Sequence, residues 1–173
     1  MVSINLVPLK TLDKDEKTGL IVESGSGEKI VTFRTATFLH LMDRFVELLG
    51  DNLSATFLHQ MGIDVGRSML TYTKGEVKSD NDLCTVMDVI MAERGWGRCL
   101  ALEKAKMRGL TYTVKVGDNP ISHKHGGNQP ICNFLRGNYT GFLEAYLNKK
   151  AQSSVQVACA GLTAPNCVFE IAF

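Results

Sequence analysis

The order in which hydrophobic periodicity changes along the chain is the feature that most constrains its fold. Two short β-rich runs, Leu20 to Glu23 and Lys29 to Phe33, predict a hairpin near the N-terminus. Apolar residues then recur at helical spacing in successive segments before the pattern becomes strand-like. Because helices and strands come in separate runs, the sequence predicts an α+β domain in which an antiparallel sheet packs against a helical layer.

The three consecutive predicted helices have recognisable ends. Thr35 is expected to cap the first helix, which ends at Gly50, and Asn52 is expected to cap the second. The third helix opens near Ser79 or Asp80 and stops before Gly95. Three helices are therefore predicted to run consecutively.

The rest of the chain contains two strand pairs separated by one helix. Trp96 to Glu103 and Leu110 to Val116 read as strands, and Pro130 suits the first turn of a helix running to about Leu147. Two final strands follow, Ser154 to Ala158 and Val168 to Phe173. The predicted order is hairpin, three helices, two strands, helix and two strands.

Composition indicates one globular domain, 19–173, after a lead-in, 1–18. The chain has 173 residues, of which 45% are hydrophobic, enough for a full core. Its 19 basic and 18 acidic residues form no long run, which argues against nucleic acid or an anionic membrane as a partner. With no apolar stretch long enough to span a membrane and an odd count of five cysteines, we expect a cytoplasmic protein.

Two pairs of glycines lie four residues apart inside predicted helices. Gly62 and Gly66 belong to the second helix, and Gly137 and Gly141 belong to the fourth. Glycine costs about 1 kcal/mol relative to alanine within a helix, so pairs on one face indicate a backbone or ligand approaching closely. Independently tolerated glycines are the alternative.

Three cysteines are placed so that they can converge. Cys132 falls in the first turn of the fourth helix, where the helix dipole favours a thiolate, and Cys159 and Cys167 bracket a turn-rich loop. Zinc suits three thiolates and needs one further ligand. Buried, unligated thiols are an equal alternative on spacing alone. Cys84 and Cys99 are expected to be core or surface thiols outside this site.

The fourth ligand is open at this point. Gln156, Glu170, His123, His125 and water are the candidates, although solvated histidines are the commoner reading of the His-x-His pair. The sequence contains no nicotinamide or flavin fingerprint and indicates no assembled catalytic nucleophile and base. We therefore expect binding rather than catalysis.

Several short motifs together resemble the 4-vinyl reductase domain, over about residues 30–173. Their order and spacing, rather than any single motif, carry the resemblance. They are Met61-Gly62-Ile63-Asp64-Val65-Gly66-Arg67, Gly95-Trp96-Gly97-Arg98, Cys132 with Arg136-Gly137-Asn138-Tyr139-Thr140-Gly141-Phe142, and Cys159 with Pro165-Asn166-Cys167-Val168-Phe169.

The resemblance implies relatives among phenol- and xylene-responsive sensory domains, bacteriochlorophyll-associated proteins and, more distantly, TRAPP vesicle-tethering subunits. The sensors hold zinc with three cysteines and a glutamate beside an aromatic-binding pocket. By position the cysteines correspond to Cys132, Cys159 and Cys167, and the glutamate corresponds to Gln156. An amide is a weaker ligand than a carboxylate, and the implied zinc is structural rather than catalytic.

The resemblance also implies a pocket between helices and sheet. Ordinary core packing is the alternative role for the candidate lining residues, of which Trp96 and Tyr112 combine a polar tip with an apolar body. The candidates are Trp96, Tyr112, Phe134, Tyr139, Phe142, Phe57 and Met91.

Three functions follow as hypotheses. The first is a non-catalytic binding domain for an apolar small molecule, with a tetrapyrrole or pigment intermediate as the ligand class that the family suggests. The second is a dimeric scaffold or assembly factor. The third is a vinyl reductase of (bacterio)chlorophyll biosynthesis, which would need an electron source that no motif here binds. We also expect a homodimer, and a signalling role would need a separate protein partner.

Overall fold

The computed structural model confirms the α+β class and the predicted order of elements. It describes residues 12–14, 21–23, 29–30, 34–71, 77, 79–106, 109–119, 130–160 and 164–173. The elements are β1 (Leu12–Lys14), β2 (Ile21–Glu23), β3 (Lys29–Ile30), α1 (Thr35–Leu49), α2 (Asp51–Thr71), α3 (Asp80–Glu93), β4 (Arg98–Ala105), β5 (Thr111–Gly117), α4 (Pro130–Leu147), β6 (Ser153–Ala158) and β7 (Cys167–Ala172). No helix among the described residues is long and apolar enough to cross a membrane.

The N-terminal hairpin belongs to a small three-stranded sheet. Strands β2 and β3 pair antiparallel, with Ile21 opposite Ile30, as the sequence predicts, while the turn between them lies outside the described residues. Strand β1 pairs with β2 and falls within the predicted lead-in. It was missed because three residues with charged neighbours are too few to show a two-residue period.

The main sheet has the order β4-β5-β7-β6, and every neighbouring pair is antiparallel. Alternate residues of its two central strands point to one face, which forms part of the core. The predicted inward alternation at the C-terminus is confirmed, since Phe169, Ile171 and Phe173 are buried. The corresponding buried residues of β5 are Tyr112, Val114 and Val116.

Two helices begin one or two residues before the predicted positions. The residue before α1 is Arg34, whose extended backbone accepts a hydrogen bond from the Phe38 amide, so Thr35 is already helical. Helix α2 begins at Asp51, and Asn52 therefore lies inside it rather than at its cap. Such differences of one or two residues are typical at helix ends.

Two other helix ends agree with the sequence. The Ser79 hydroxyl accepts a hydrogen bond from the Asp82 amide at 3.2 Å and caps α3. At the end of α1, Gly50 has a φ of 74° and donates its amide to the Val46 carbonyl. Only a residue without Cβ adopts that left-handed conformation readily, so α1 ends there.

Helices α2 and α4 pack backbone against backbone through the two predicted glycine pairs. A Cβ built on Gly62, Gly66, Gly137 or Gly141 would lie 2.0 to 2.1 Å from a carbonyl oxygen of the other helix. That separation is far below van der Waals contact, so even a methyl group would force the helices apart. The prediction of close approach is confirmed, and the partner is a second helix.

We predict that Gly66→Ala lowers the free energy of unfolding by about 3 kcal/mol or more, because its Cβ would meet the Asn138 carbonyl oxygen at 2.0 Å. The control is Gln60→Ala, on an exposed position of the same helix, with an expected change within about 0.5 kcal/mol. Urea denaturation followed by circular dichroism measures both. Equal stability of the two variants would contradict the close-packing account.

Candidate functional site

Three elements bring the sulfurs of Cys132, Cys159 and Cys167 together. Cys132 lies in the first turn of α4, Cys159 directly follows β6, and Cys167 begins β7. Ala158 pairs with Val168 across the two strands, which places the two neighbouring cysteines at the same end of the hairpin. All three are buried, and their Sγ atoms lie within 4.8 Å of one another.

The spacing of these sulfurs fits a tetrahedral metal ion. Zinc–sulfur bonds of about 2.3 Å at tetrahedral angles separate two sulfurs by about 3.8 Å. The Cys132 and Cys159 Sγ atoms are 3.9 Å apart. The Ala160 amide also donates a hydrogen bond to the Cys167 Sγ atom at 3.5 Å, which would stabilise negative charge on sulfur. The cluster could therefore hold a metal ion.

The surroundings of Cys132 favour its protonated form. Its pKa is raised by its hydrogen bond to Cys167 and by burial, and the neighbouring sulfurs add to this effect. This shift is opposite in direction to the one expected from the helix dipole. A metal ion would have to displace protons, so its affinity would rise with pH.

Gln156 lies beside the cluster, at the position the resemblance assigns to the fourth ligand. Its Nε2 atom donates a hydrogen bond to the Ala158 carbonyl at 3.1 Å, and its side chain also hydrogen-bonds Cys132. Glu170 is exposed on β7, and His123 and His125 lie outside the described residues. Among the described residues, Gln156 is therefore the candidate that contacts a cluster sulfur.

A narrow apolar pocket lies between α2, α3 and α4. The space between its side chains is too narrow to admit a water molecule, so a ligand could enter only if these side chains move. Three of the predicted ligand-binding residues, Met91, Tyr139 and Phe142, line it together. The other lining residues are Met69, Met87, Ile90 and Asn138.

Two polar atoms in the pocket wall have no hydrogen-bond partner among the described residues. They are the Asn138 Nδ2 atom and the Tyr139 hydroxyl, on side chains that are 1% and 0% exposed. Burial raises the pKa of Tyr139 well above its usual range, so the hydroxyl keeps its proton. A donor amide and a neutral hydroxyl thus stand in an otherwise apolar lining, which is a typical arrangement for a ligand site.

Trp96 and Phe134 form an aromatic cluster with Phe38 of α1. The Trp96 ring lies 5.3 Å from the Phe38 ring and 5.2 Å from the Phe134 ring, centroid to centroid. Trp96 follows α3 and Phe134 is on α4, so the cluster joins three helical segments. These two predicted residues do not line the pocket.

Tyr112 and Phe57 lie apart from both the pocket and the aromatic cluster. The buried Tyr112 donates its hydroxyl hydrogen to Asp80 at 3.0 Å, and its ring meets the Phe173 ring edge-on at 6.2 Å. Phe57 is 45% exposed on α2 and stacks on Phe45 at 5.6 Å. Sequence spacing alone could not show that Phe57 points outward.

Asn138 lines the pocket but was not among the ligand-binding residues predicted from the sequence. A signal for it exists, because Asn138 stands four residues from both Phe134 and Phe142 and interrupts an apolar stripe on one helix face. A polar residue within such a stripe either finds a buried partner or serves a ligand. Met69, Met87 and Ile90 also line the pocket and were not among the predicted ligand-binding residues.

The comparisons with known proteins support the fold. No family model and no curated protein matches the chain. The phenol-responsive sensory domain of the transcription activator PoxR, solved with phenol, is similar over 93% of this chain and 84% of its own, with a TM-score of 0.72 and 19% identity.

A trafficking protein particle complex subunit 3 from Naegleria fowleri, covalently bound to palmitic acid, is similar over 80% of this chain and 91% of its own. Its TM-score is 0.60 and its identity 16%. The predicted likeness to an aromatic sensor and to a tethering subunit is therefore confirmed for the fold. Membership of the 4-vinyl reductase family stays a prediction.

Loss of the side-chain hydroxyl should change the free energy of unfolding differently at the two buried tyrosines, Tyr112 and Tyr139. Tyr112→Phe should lower the free energy of unfolding by about 1 kcal/mol, because it removes the hydrogen bond to Asp80. Tyr139→Phe should leave it unchanged or raise it by up to about 1 kcal/mol, because a buried polar atom without a described partner disappears. Chemical denaturation measures both, and a larger loss for Tyr139→Phe would contradict this view of the pocket.

Proposed function

We propose that this protein is a non-catalytic binding domain for a small, single-ring apolar molecule that carries one polar group. The observation that carries the proposal is the pair of unpartnered polar atoms, on Asn138 and Tyr139, in the wall of an apolar pocket. A buried polar atom without a partner costs about 1 to 3 kcal/mol. A ligand with a hydroxyl or carbonyl oxygen at this position would restore those hydrogen bonds.

The size and composition of the pocket favour a small ligand. The space between the three helices does not admit even a water molecule, whereas drug-sized ligands occupy roughly 300 to 1,000 Å³, so any ligand must be small and must displace side chains to enter. Three methionines, Met69, Met87 and Met91, form much of its wall. Their flexible side chains can change rotamer and widen the pocket for one ring. A tetrapyrrole would need a far larger rearrangement of α2, α3 and α4.

The PoxR sensory domain supports this ligand class because it was solved with phenol and shares the fold at a TM-score of 0.72. Phenol combines one apolar ring with one hydroxyl group. The hydroxyl could accept a hydrogen bond from the Asn138 amide, and the ring could contact the methionine side chains.

We predict that phenol binds the purified protein and that Tyr139→Phe weakens the affinity about tenfold, which corresponds to the loss of one hydrogen bond in a dry site. The matched control is Tyr112→Phe, which also removes a buried hydroxyl but lies outside the pocket. Isothermal titration calorimetry measures the affinities. Equal weakening by both substitutions, or no phenol binding by a folded wild-type protein, would overturn the proposal.

We further propose that Cys132, Cys159 and Cys167 hold a structural zinc ion with Gln156 as the fourth ligand. Gln156 could turn its carbonyl oxygen toward the metal by a flip of the amide, which leaves the shape of the side chain unchanged. Bound zinc would supply a cross-link between the start of α4 and the β6–β7 hairpin. In that role the four residues would fix the helix that also forms the pocket wall.

A carboxylate at position 156 should increase the affinity of the proposed site for zinc. Gln156→Glu should raise the affinity for zinc about tenfold or more, because a carboxylate adds charge to the same oxygen position. Competition with a chromophoric chelator measures this affinity at fixed pH. The control is Glu170→Gln, on the exposed face of the neighbouring strand, which should leave it unchanged. Zinc content that is unaffected in Cys159→Ser would remove that cysteine from the site.

The homodimer and the separate protein partner stay predictions, as does the alternative of a dimeric scaffold. One surface that would suit a second copy of the chain lies on α1 and α2, where large apolar side chains are exposed. They are Leu41, Leu48, Leu49, Leu53 and Phe57.

A further inference from the structure

A second pair of cysteines lies at the contact between α3 and β4. The Cys84 and Cys99 Sγ atoms are 3.9 Å apart, and both cysteines are free thiols. Cys84 is partly exposed, whereas Cys99 is 4% exposed. The sequence does not indicate that they meet, because 15 residues separate them and no motif links them.

The contact between the two thiols is held by Asp88, one turn after Cys84 on α3. One Asp88 carboxylate oxygen accepts a hydrogen bond from the Cys99 amide at 3.0 Å. The carboxylate also accepts two hydrogen bonds from the Arg98 guanidinium, at 2.7 and 2.6 Å. These bonds fix the start of β4 against α3, so the two sulfurs face each other in a defined geometry.

The two thiols differ in chemical character. A hydrogen bond from Cys99 lowers the pKa of Cys84 to about 7, against the opposing effect of partial burial. The pKa of Cys99 is raised by the same hydrogen bond and by burial. Cys84 is thus the accessible, ionisable sulfur and Cys99 the shielded, protonated one. This is the usual division between an attacking and a resolving cysteine.

We propose that Cys84 and Cys99 form a peroxide-sensitive dithiol, which closes to a disulfide between α3 and β4. The Cys84 thiolate attacks hydrogen peroxide, so that a sulfur–oxygen bond forms, the oxygen–oxygen bond breaks and hydroxide leaves. Cys99 then attacks the sulfur of the Cys84 sulfenic acid, the sulfur–sulfur bond forms and water leaves with the Cys99 proton. Two thiols lose two electrons and one peroxide is reduced to two waters.

The required movement is small. A disulfide has a sulfur–sulfur bond of about 2.05 Å, so the sulfurs must approach by about 2 Å. Rotation of both side chains can together bring the two sulfurs this much closer. The product would add a covalent link between α3 and the start of β4 to the ion pair, hydrogen bonds and apolar contacts that already join them.

Peptide mapping of the full-length protein tests this proposal. One equivalent of hydrogen peroxide is added to reduced protein, free thiols are then blocked with N-ethylmaleimide in denaturant, and the chain is digested with trypsin without reductant. Trypsin separates Cys84 in peptide 79–94 from Cys99 in peptide 99–104. We expect these two peptides to be recovered cross-linked, with the link abolished in Cys84→Ser. In Cys99→Ser, dimedone should trap a sulfenic acid on Cys84.

Cys132 and Cys159 provide an internal comparison, because their sulfurs are also 3.9 Å apart but both are buried. Their peptides, 125–136 and 151–173, are distinct from the other two, and because 151–173 also contains Cys167, their cross-link reports a disulfide of Cys132 with either Cys159 or Cys167. The cross-link of Cys84 should form first and should raise the melting temperature of the oxidised protein. Recovery of both Cys84 and Cys99 as maleimide adducts after the peroxide is consumed would overturn the proposal. So would formation of the cross-link no faster than that between Cys132 and Cys159.

Discussion

The direct backbone contact between α2 and α4 fixes the position of the helix on which the proposed sites depend. Gly66 and Gly141 leave room for carbonyl oxygens of the facing helix, and any side chain there would separate the two backbones. Helix α4 carries Cys132 in its first turn and Asn138 and Tyr139 in its middle. A shift of this helix would therefore disturb the sulfur cluster and the pocket together.

An ion pair holds the far end of the same helix. The Arg67 guanidinium of α2 donates to the Glu144 carboxylate of α4 at 3.0 and 2.5 Å, and the Ala151 amide donates to the other oxygen at 2.9 Å. Burial would raise the pKa of Glu144, but these donors outweigh it and lower that pKa. The charged form is thus favoured in the folded protein, and its contribution to stability is lost as the pH falls through the lowered pKa.

The sequence predicted most strongly those features that depend on local spacing. The i, i+4 glycines Gly62 and Gly66 and the alternation that buries Phe169 each follow from one helix or strand period. Features that depend on contacts across the fold were not predictable. Cys84 meets Cys99 only because Asp88 holds the start of β4 against α3, and no periodicity encodes that contact.

The difference between features set by local spacing and features set by contacts across the fold also applies within the candidate site. The convergence of Cys132 with the β6–β7 hairpin could be expected, since its members stand at the ends of elements. The raised pKa of Cys132 could not be predicted, because it arises from neighbouring sulfurs and from burial. Likewise, Tyr112 and Tyr139 were both predicted from the sequence to line the ligand pocket. Only their surroundings show that one hydroxyl binds Asp80, while the other is buried without a partner among the described residues.

The central claim is that a single-ring ligand occupies the space between α2, α3 and α4. Nuclear Overhauser effects between bound phenol and ¹³C-labelled methionine methyl groups test it most directly. The account predicts contacts from the ring protons to Met69, Met87 and Met91, and none to Met42, which lies on α1 outside the pocket wall. Saturable phenol binding without contacts to the three pocket methionines would contradict it.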